Sequence, residues 1–592
     1  MKRLVSLSLP FLLIACGNSS STTPSPDAAV SADASPDADA STPPDAAVDA
    51  DAATPDAPSD DVSADDAADA EVEADAPIDV ASDAAPPAPT CVAPISLVDT
   101  STPTTVVGSG TAASCTEAAL SVAVANGGII TFTCGSSPVT IPITTTLIVP
   151  TDKNTTIDGA GLITLDGGGT TRILSADHPD YRTNDYVLTL QRVALEHGKA
   201  SGTKPFAAAP APCSQGFYDG EGGAVRIRDL KLHVIDATFT GNEAAELGPD
   251  VGGGAIYVMG TTEVIVVNST FTGNTGSNGG AIGALNSELD VHNSSFTNNS
   301  ALGHGANSDD ASKCSVISET GQHQVGSGGN GGAICIDGGS DGLHTFCGVK
   351  FVGNHGGAEA LGGAIFRTPD LAKQATVIDR CWFDSNVGGS GGGALYIHNS
   401  DLKITDSTLS KNSANGSGGM QSDGTTIDFT NVTFAGNVAT GALAAGFALF
   451  GGNGSMVNCT FVDNVCQGDN MFACAIFGSP TLDIRNTIFA GNLGTNPTEP
   501  MQCRVGAATT GSGNLQWPPS KVANGTDDQP CAPGIVYAEP SLEPLGDNGG
   551  PVPTMLPSVG SAAIGVGTNC PATDARGKAR PANGCSAGAA ER

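Results

Sequence analysis

Basic residues are scarce in this chain: 25 Lys and Arg stand against 61 Asp and Glu in 592 residues, a formal net charge of −36. A surface of that sign repels a phosphate backbone, which argues against nucleic acid as a partner. Charged residues of either sign reach only 15%, against about 25% in an ordinary globular chain, so a helical bundle or coiled coil rich in Glu and Lys is disfavoured. Aromatics make up 5%. No C-x-x-C pair is present, which disfavours a zinc site. The G-G-x-G-x-D calcium repeat is absent as well, nothing resembles a nucleophile elbow set between a strand and a helix or a phosphate loop, and nothing implies a cofactor or metal.

What is abundant is glycine, 78 residues, which points to an all-β chain with many tight turns. The acidity is concentrated. Residues 18–90 hold 18 Asp or Glu and no Lys or Arg, half of the net charge, among little but Ala, Pro, Ser, Thr and Val. Without aromatics to seed a core, 17–90 reads as an extended, self-repelling linker. Before it, Lys2 and Arg3 precede the apolar run Leu4 to Ile14, too short to span a bilayer, and Leu13-Ile14-Ala15-Cys16 closes it.

Internal repetition sets the fold. An aromatic or Leu followed three residues later by Asn occurs nine times: Phe239/Asn242, Phe271/Asn274, Phe296/Asn299, Phe351/Asn354, Phe383/Asn386, Leu409/Asn412, Phe434/Asn437, Phe461/Asn464 and Phe489/Asn492. Between copies stands GGAV from Gly222, GGAI from Gly253, Gly279, Gly331 and Gly362, and GGAL from Gly392. Five and seven residues before each Phe the chain is mostly apolar, as at Leu289 and Val291, which is the period of a strand with one face buried. The step from there to the inward small residue two before the Phe is odd, so the chain must turn a corner between them. Asp236, Asn268, Asn293, Asp406, Asn431, Asn458 and Asn486 stand at that corner, residue types that tolerate a left-handed backbone. Three strands per turn of chain predict a right-handed, single-stranded parallel β-helix. At a rise of ~4.8 Å per coil, Phe stacks on Phe and Asn bonds to Asn over roughly 50 to 60 Å.

The alternating GGA[IVL] and F-x-x-N resemble the repeats of polymorphic outer membrane proteins and bacterial right-handed β-helix proteins. CTEAALSVAVANGGIITFTCG at 115–135 resembles their short N-terminal capping helix. SLEPLGDNGGPVPTM with TDARGKARPANGCSAGAAER resembles the tail of the choice-of-anchor Q domain, although Ser586 and Ala587 replace the usual Asp and Ile. Leu13 to Cys16 resembles a bacterial lipobox. That likeness implies lipidation of Cys16, attachment to a membrane through this N-terminal lipid, and a position at the outer membrane or cell surface. With the chain ending at Arg592, the lipid would replace the C-terminal anchor of the family. The organisation expected is a signal peptide and lipidated cysteine at 1–16, a linker at 17–90, a cap and first coils at 91–220, regular repeats at 221–500 and the C-terminal region at 501–592.

An exported chain with 16 cysteines suggests disulfides. Proximity in sequence suggests Cys115 with Cys134, Cys466 with Cys474, Cys503 with Cys531 and Cys570 with Cys585, whereas Cys381 and Cys459, three coils apart, read as buried thiols. The enzymes of the fold expose catalytic side chains on one sheet, and the outward column six before each Phe runs from His233 to Asp483. Asp428 and Asp483 lie two coils apart, at the wide limit for an inverting glycosidase; Lys403 beside Asp428 suggests a solvated ion pair. Gly303-His304-Gly305 with Asp309 and Asp310 is similar to a polygalacturonase motif, in inverted order and without its Arg-x-Lys partner. Two insertions, one with Cys213 and one spanning 301–330, read as surface loops of the kind that carry recognition. The expectation is a surface binding or adhesion module for extended glycans or another surface protein, with no catalytic site. Alternatives are a polysaccharide lyase or glycoside hydrolase of the pectate-lyase-like class and a purely structural role.

Overall fold

The computed structural model describes residues 91–592 apart from 208, 211–212, 306–313, 315–324, 339–341, 370–373, 442, 469–471 and 479–480. Cys16, the 17–90 segment and Asp309 and Asp310 lie outside the described residues. Strands pair in parallel throughout the body, in one 26-stranded and one 12-stranded sheet. This is a parallel β-helix. Among the described residues a single α-helix, Glu117–Asn126, packs Leu120, Ala123 and Val124 inward at the N-terminal end.

Each coil lays down three strands in turn. A strand after GGA, such as Ile282–Leu285, belongs to the 12-stranded sheet and forms the GGA face. A leading strand, such as Leu289–His292, and an aromatic strand, such as Ser295–Thr297, belong to the larger sheet. The corner between leading and aromatic strands is left-handed at Asp236, Asn268, Asn293, Asp406, Asn431, Asn458 and Asn486, with φ between 47° and 56°. A second left-handed column, invisible in the Phe register, closes the GGA strand at Asp229, Asn286 and Asn399. Glycine is required in the GGA motif: Gly279 has φ +54°, and a Cβ there would lie 2.2 Å from the Ile282 carbonyl oxygen.

Inside the coil, Phe239, Phe271, Phe296, Phe351 and Phe383 stack with ring centres 4.6 to 5.0 Å apart. Leu409 interrupts the spine before Phe434, Phe461 and Phe489 continue it. Beside the rings, the nine Asn side chains form one unbroken ladder. Nδ2 of each donates to Oδ1 of the next Asn, and the same oxygen accepts the preceding main-chain N–H, from Asn242 through Asn274, Asn299, Asn354, Asn386, Asn412, Asn437 and Asn464 to Asn492. Gly198 N–H feeds the first member and Gln502 takes the last.

Two terminal segments run along the outside. Residues 91–100 form a strap across the N-terminal coils. Cys91 is disulfide-bonded to Cys347, its N–H and C=O pair with the Asn293 carboxamide at 2.8 Å each, Val98 pairs with Gln191, and Thr100 donates to Asp158. The C-terminal segment takes the same corner further along. Pro553 O accepts from Thr408, Thr573 O from Asn431, Thr568 O from Asn486, and the Ser586 and Gly588 carbonyls from Asn458. Arg580 locks this tail through Glu591, Ser586 O and Asn431 Oδ1.

Candidate functional site

The leading-face column is a true register column: Lys403, Asp428, Ser455 and Asp483 pair in successive coils. In it Asp428 and Asp483 stand two coils apart, with Ser455 between them in register. The Ser455 hydroxyl stands between the two carboxylates and donates to Asp428 at 3.2 Å, while Asp483 takes Arg485 at 3.0 Å and Thr510 at 3.0 Å. The ion pair expected between Lys403 and Asp428 does not form among the described residues. Higher in the column, Ile265 packs with Ile235, Val267 and Ile95 of the strap, so this part of the face is covered.

The described residues of the insertions are linked as well. Cys213 and Cys314 form a disulfide between them, and the Ser277 hydroxyl lies 2.6 Å from both the Gly248 and Ser327 carbonyl oxygens, its one proton shared between them. Cys115–Cys134, Cys466–Cys474, Cys503–Cys531 and Cys570–Cys585 are bridged. Cys381 and Cys459 are buried thiols whose pKa burial pushes up to about 12, so they are inert core fillers. The Cys91–Cys347 and Cys213–Cys314 bridges, over 256 and 101 residues, had no local signal in the sequence.

One open depression lies near the N-terminal end, lined by Asp152, Asn154, His178, Asn184, Asp185 and Tyr186. His178 donates through Nδ1 to Asp229 at 3.0 Å. Asp229 also accepts from the Thr183 N–H and hydroxyl and the Asn184 N–H, so it anchors the 178–186 loop. Despite its burial, these donors hold its carboxyl below the usual range.

Aromatic and charged side chains cluster on the outer surface of the GGA face, in its C-terminal half. The strand positions just after GGA[IL] and its degenerate copies align as Phe366, Tyr396, Gln421, Ala448, Phe477 and Arg504. Phe366 is buried under Leu361 and stacks on half-buried Tyr396 at 5.4 Å. At the other end Phe477 stacks on Phe472 at 4.8 Å and meets Phe450 edge-on at 5.8 Å, all three half-buried. The Arg504 guanidinium lies over both Phe472 and Phe477, 5.2 and 5.9 Å from their centres, while Glu499 neutralises it at 2.9 Å. His398 and Asp423, 3.6 Å apart, flank the strip. Half-buried rings held rigid by a sheet, with polar groups at their rim, form a platform for ligands that present C–H faces and hydroxyl edges. These residues lie off the leading-face column, and their signal in the sequence is the position after GGA[IL], where Phe366 and Tyr396 stand.

These features define a disulfide-braced parallel β-helix with an aromatic platform on one sheet. Comparison with protein-family models, with curated proteins and with solved structures gives no significant match.

Proposed function

We propose that this protein is a lipid-anchored cell-envelope β-helix, akin to the choice-of-anchor Q and polymorphic outer membrane repeats, that binds extended glycans on its GGA face. The observation that carries the reading is the strip from Tyr396 to Arg504. Tyr396 and Phe477 stand in one register column three coils apart, with Phe450 and Phe472 packed beside Phe477, so an extended polymer laid along the column meets an aromatic group at each end. The ligand favoured is uncharged. The chain carries −36, and the one guanidinium of the strip is already paired with Glu499.

The test is binding of the chain to neutral and acidic polysaccharides by calorimetry and pull-down, with an assay for new reducing ends and unsaturated product. Phe477→Ala is expected to weaken neutral-glycan binding about tenfold, the equivalent of about 1.4 kcal/mol, while Asp428→Ala leaves it unchanged. Unaltered binding by Phe477→Ala overturns the platform. Turnover that Asp428→Ala abolishes overturns the binding role in favour of a lyase or hydrolase.

A further inference from the structure

The inward column of the GGA face is aliphatic at Val258, Ala284 and Ile336, then holds Arg367, then returns to Ile397. Arg367 is fully buried inside the coil. Its Nη2 donates to Gln374 Oε1, a neutral acceptor, while Nε and Nη1 have no hydrogen-bond partner and no carboxylate pairs with the guanidinium among the described residues. Around it the core is polar for about two coils. Thr376 and Ser400 share a hydroxyl hydrogen bond at 3.0 Å. His344 accepts the Leu289 N–H through Nδ1, which leaves its ring proton on Nε2. Burial and the charge of Arg367 pull the His344 pKa down to about 3, so the ring stays neutral and supplies no positive charge of its own.

Burial lowers the pKa of Arg367 only to about 10, so it remains a cation at neutral pH. A buried ion without a counter-charge is strongly destabilising, because its lost hydration is not repaid. An aliphatic side chain would continue the column at no such cost. The donors left around it are two guanidinium nitrogens and the His344 Nε2–H, since the Ser400 hydroxyl donates to Gln374 O and the Thr376 hydroxyl to Ser400 Oγ. We propose that Arg367 holds one small inorganic anion of the chloride class within the coil, taken up as the β-helix closes. The negative field of the chain disfavours anions elsewhere, so this cation is the place where one is retained.

The test is to refold the full chain from denaturant at equal ionic strength in chloride, in bromide or in gluconate. The expected result is a melting temperature that climbs with chloride and levels off, as for saturation of one site, and an anomalous bromide peak within hydrogen-bond distance of Arg367. Arg367→Ile, which continues the Ile336–Ile397 column, is expected to lose both the peak and the chloride dependence and to melt above the parent in gluconate. Identical melting of the parent in chloride and gluconate overturns the proposal. So does a bromide peak that survives in Arg367→Ile, or a carboxylate of the chain seated on the guanidinium.

Discussion

The carboxamide of Asn386 makes four hydrogen bonds out of reach of water: it donates to Phe351 O and Asn412 Oδ1, and accepts from the Asn354 N–H and Nδ2. Leu at this position would fill similar space and remove all four bonds, while Asn412 Oδ1 keeps the Asn386 N–H and Asn354 Nδ2 keeps Phe296 O. Urea unfolding of Asn386→Leu is therefore expected to show a loss of about 3 kcal/mol, against little change for an exposed Asn such as Asn415. Asp406 is a residue under strain of another kind. Burial, with Asp379 and Asp574 nearby, raises its pKa from 3.8 to about 6, against the opposing Asn431 hydrogen bond and Arg380. The folded state thus prefers the protonated acid, and the charge subtracts stability above pH 6. That penalty shrinks as pH falls through 6 and is gone below 3.8. Asp406→Asn is expected to melt above the parent at pH 7.5, with the difference closing by pH 4 in a series of thermal melts.

Among the elements, the strap has the least sheet support and the most remote fastening. Cys91→Ser is expected to leave the melting of the stacked coils nearly unchanged while hydrogen exchange quickens at Cys347, Asn293 and the Val98 N–H. Equal protection of the strap in parent and variant would show that the Gln191 and Asp158 contacts suffice alone. Neither the strap nor the path of the tail along the corners was legible in the sequence, for a physical reason. A coil must present the same residue type at the same place to its neighbours above and below, so Phe271, Asn274 and Gly279 announce themselves by recurrence. A strap contacts each coil once, through a different group each time: Asn293, Gln191, Asp158. The outer strip is hidden for the same reason, because Tyr396, Gln421, Ala448, Phe477 and Arg504 share a column but not a residue type. The left-handed corner was readable because Asn and Asp recur there, whereas Arg367 was not, being a single exception in an apolar column.

For the whole molecule, stability is shared along the stack, since each coil rests only on its neighbours. Phe271→Ala removes a ring sandwiched between Phe239 and Phe296 and is expected to cost about 3–5 kcal/mol locally. Circular dichroism and limited proteolysis would then report fraying of the N-terminal coils before the C-terminal ones. The disulfide at Cys91 gives this partition a mechanical meaning. Tension arriving along the preceding chain enters the rod at Cys347, near its waist, and the ten-residue strap beyond the bolt is shielded from it. The coils from Asp158 to Asn293 hang free of the load path. A tug that would unzip a solenoid held at its tip, one layer at a time, must here shear the middle layers sideways, and in a reducing solution the hitching point would slip to the rod's end.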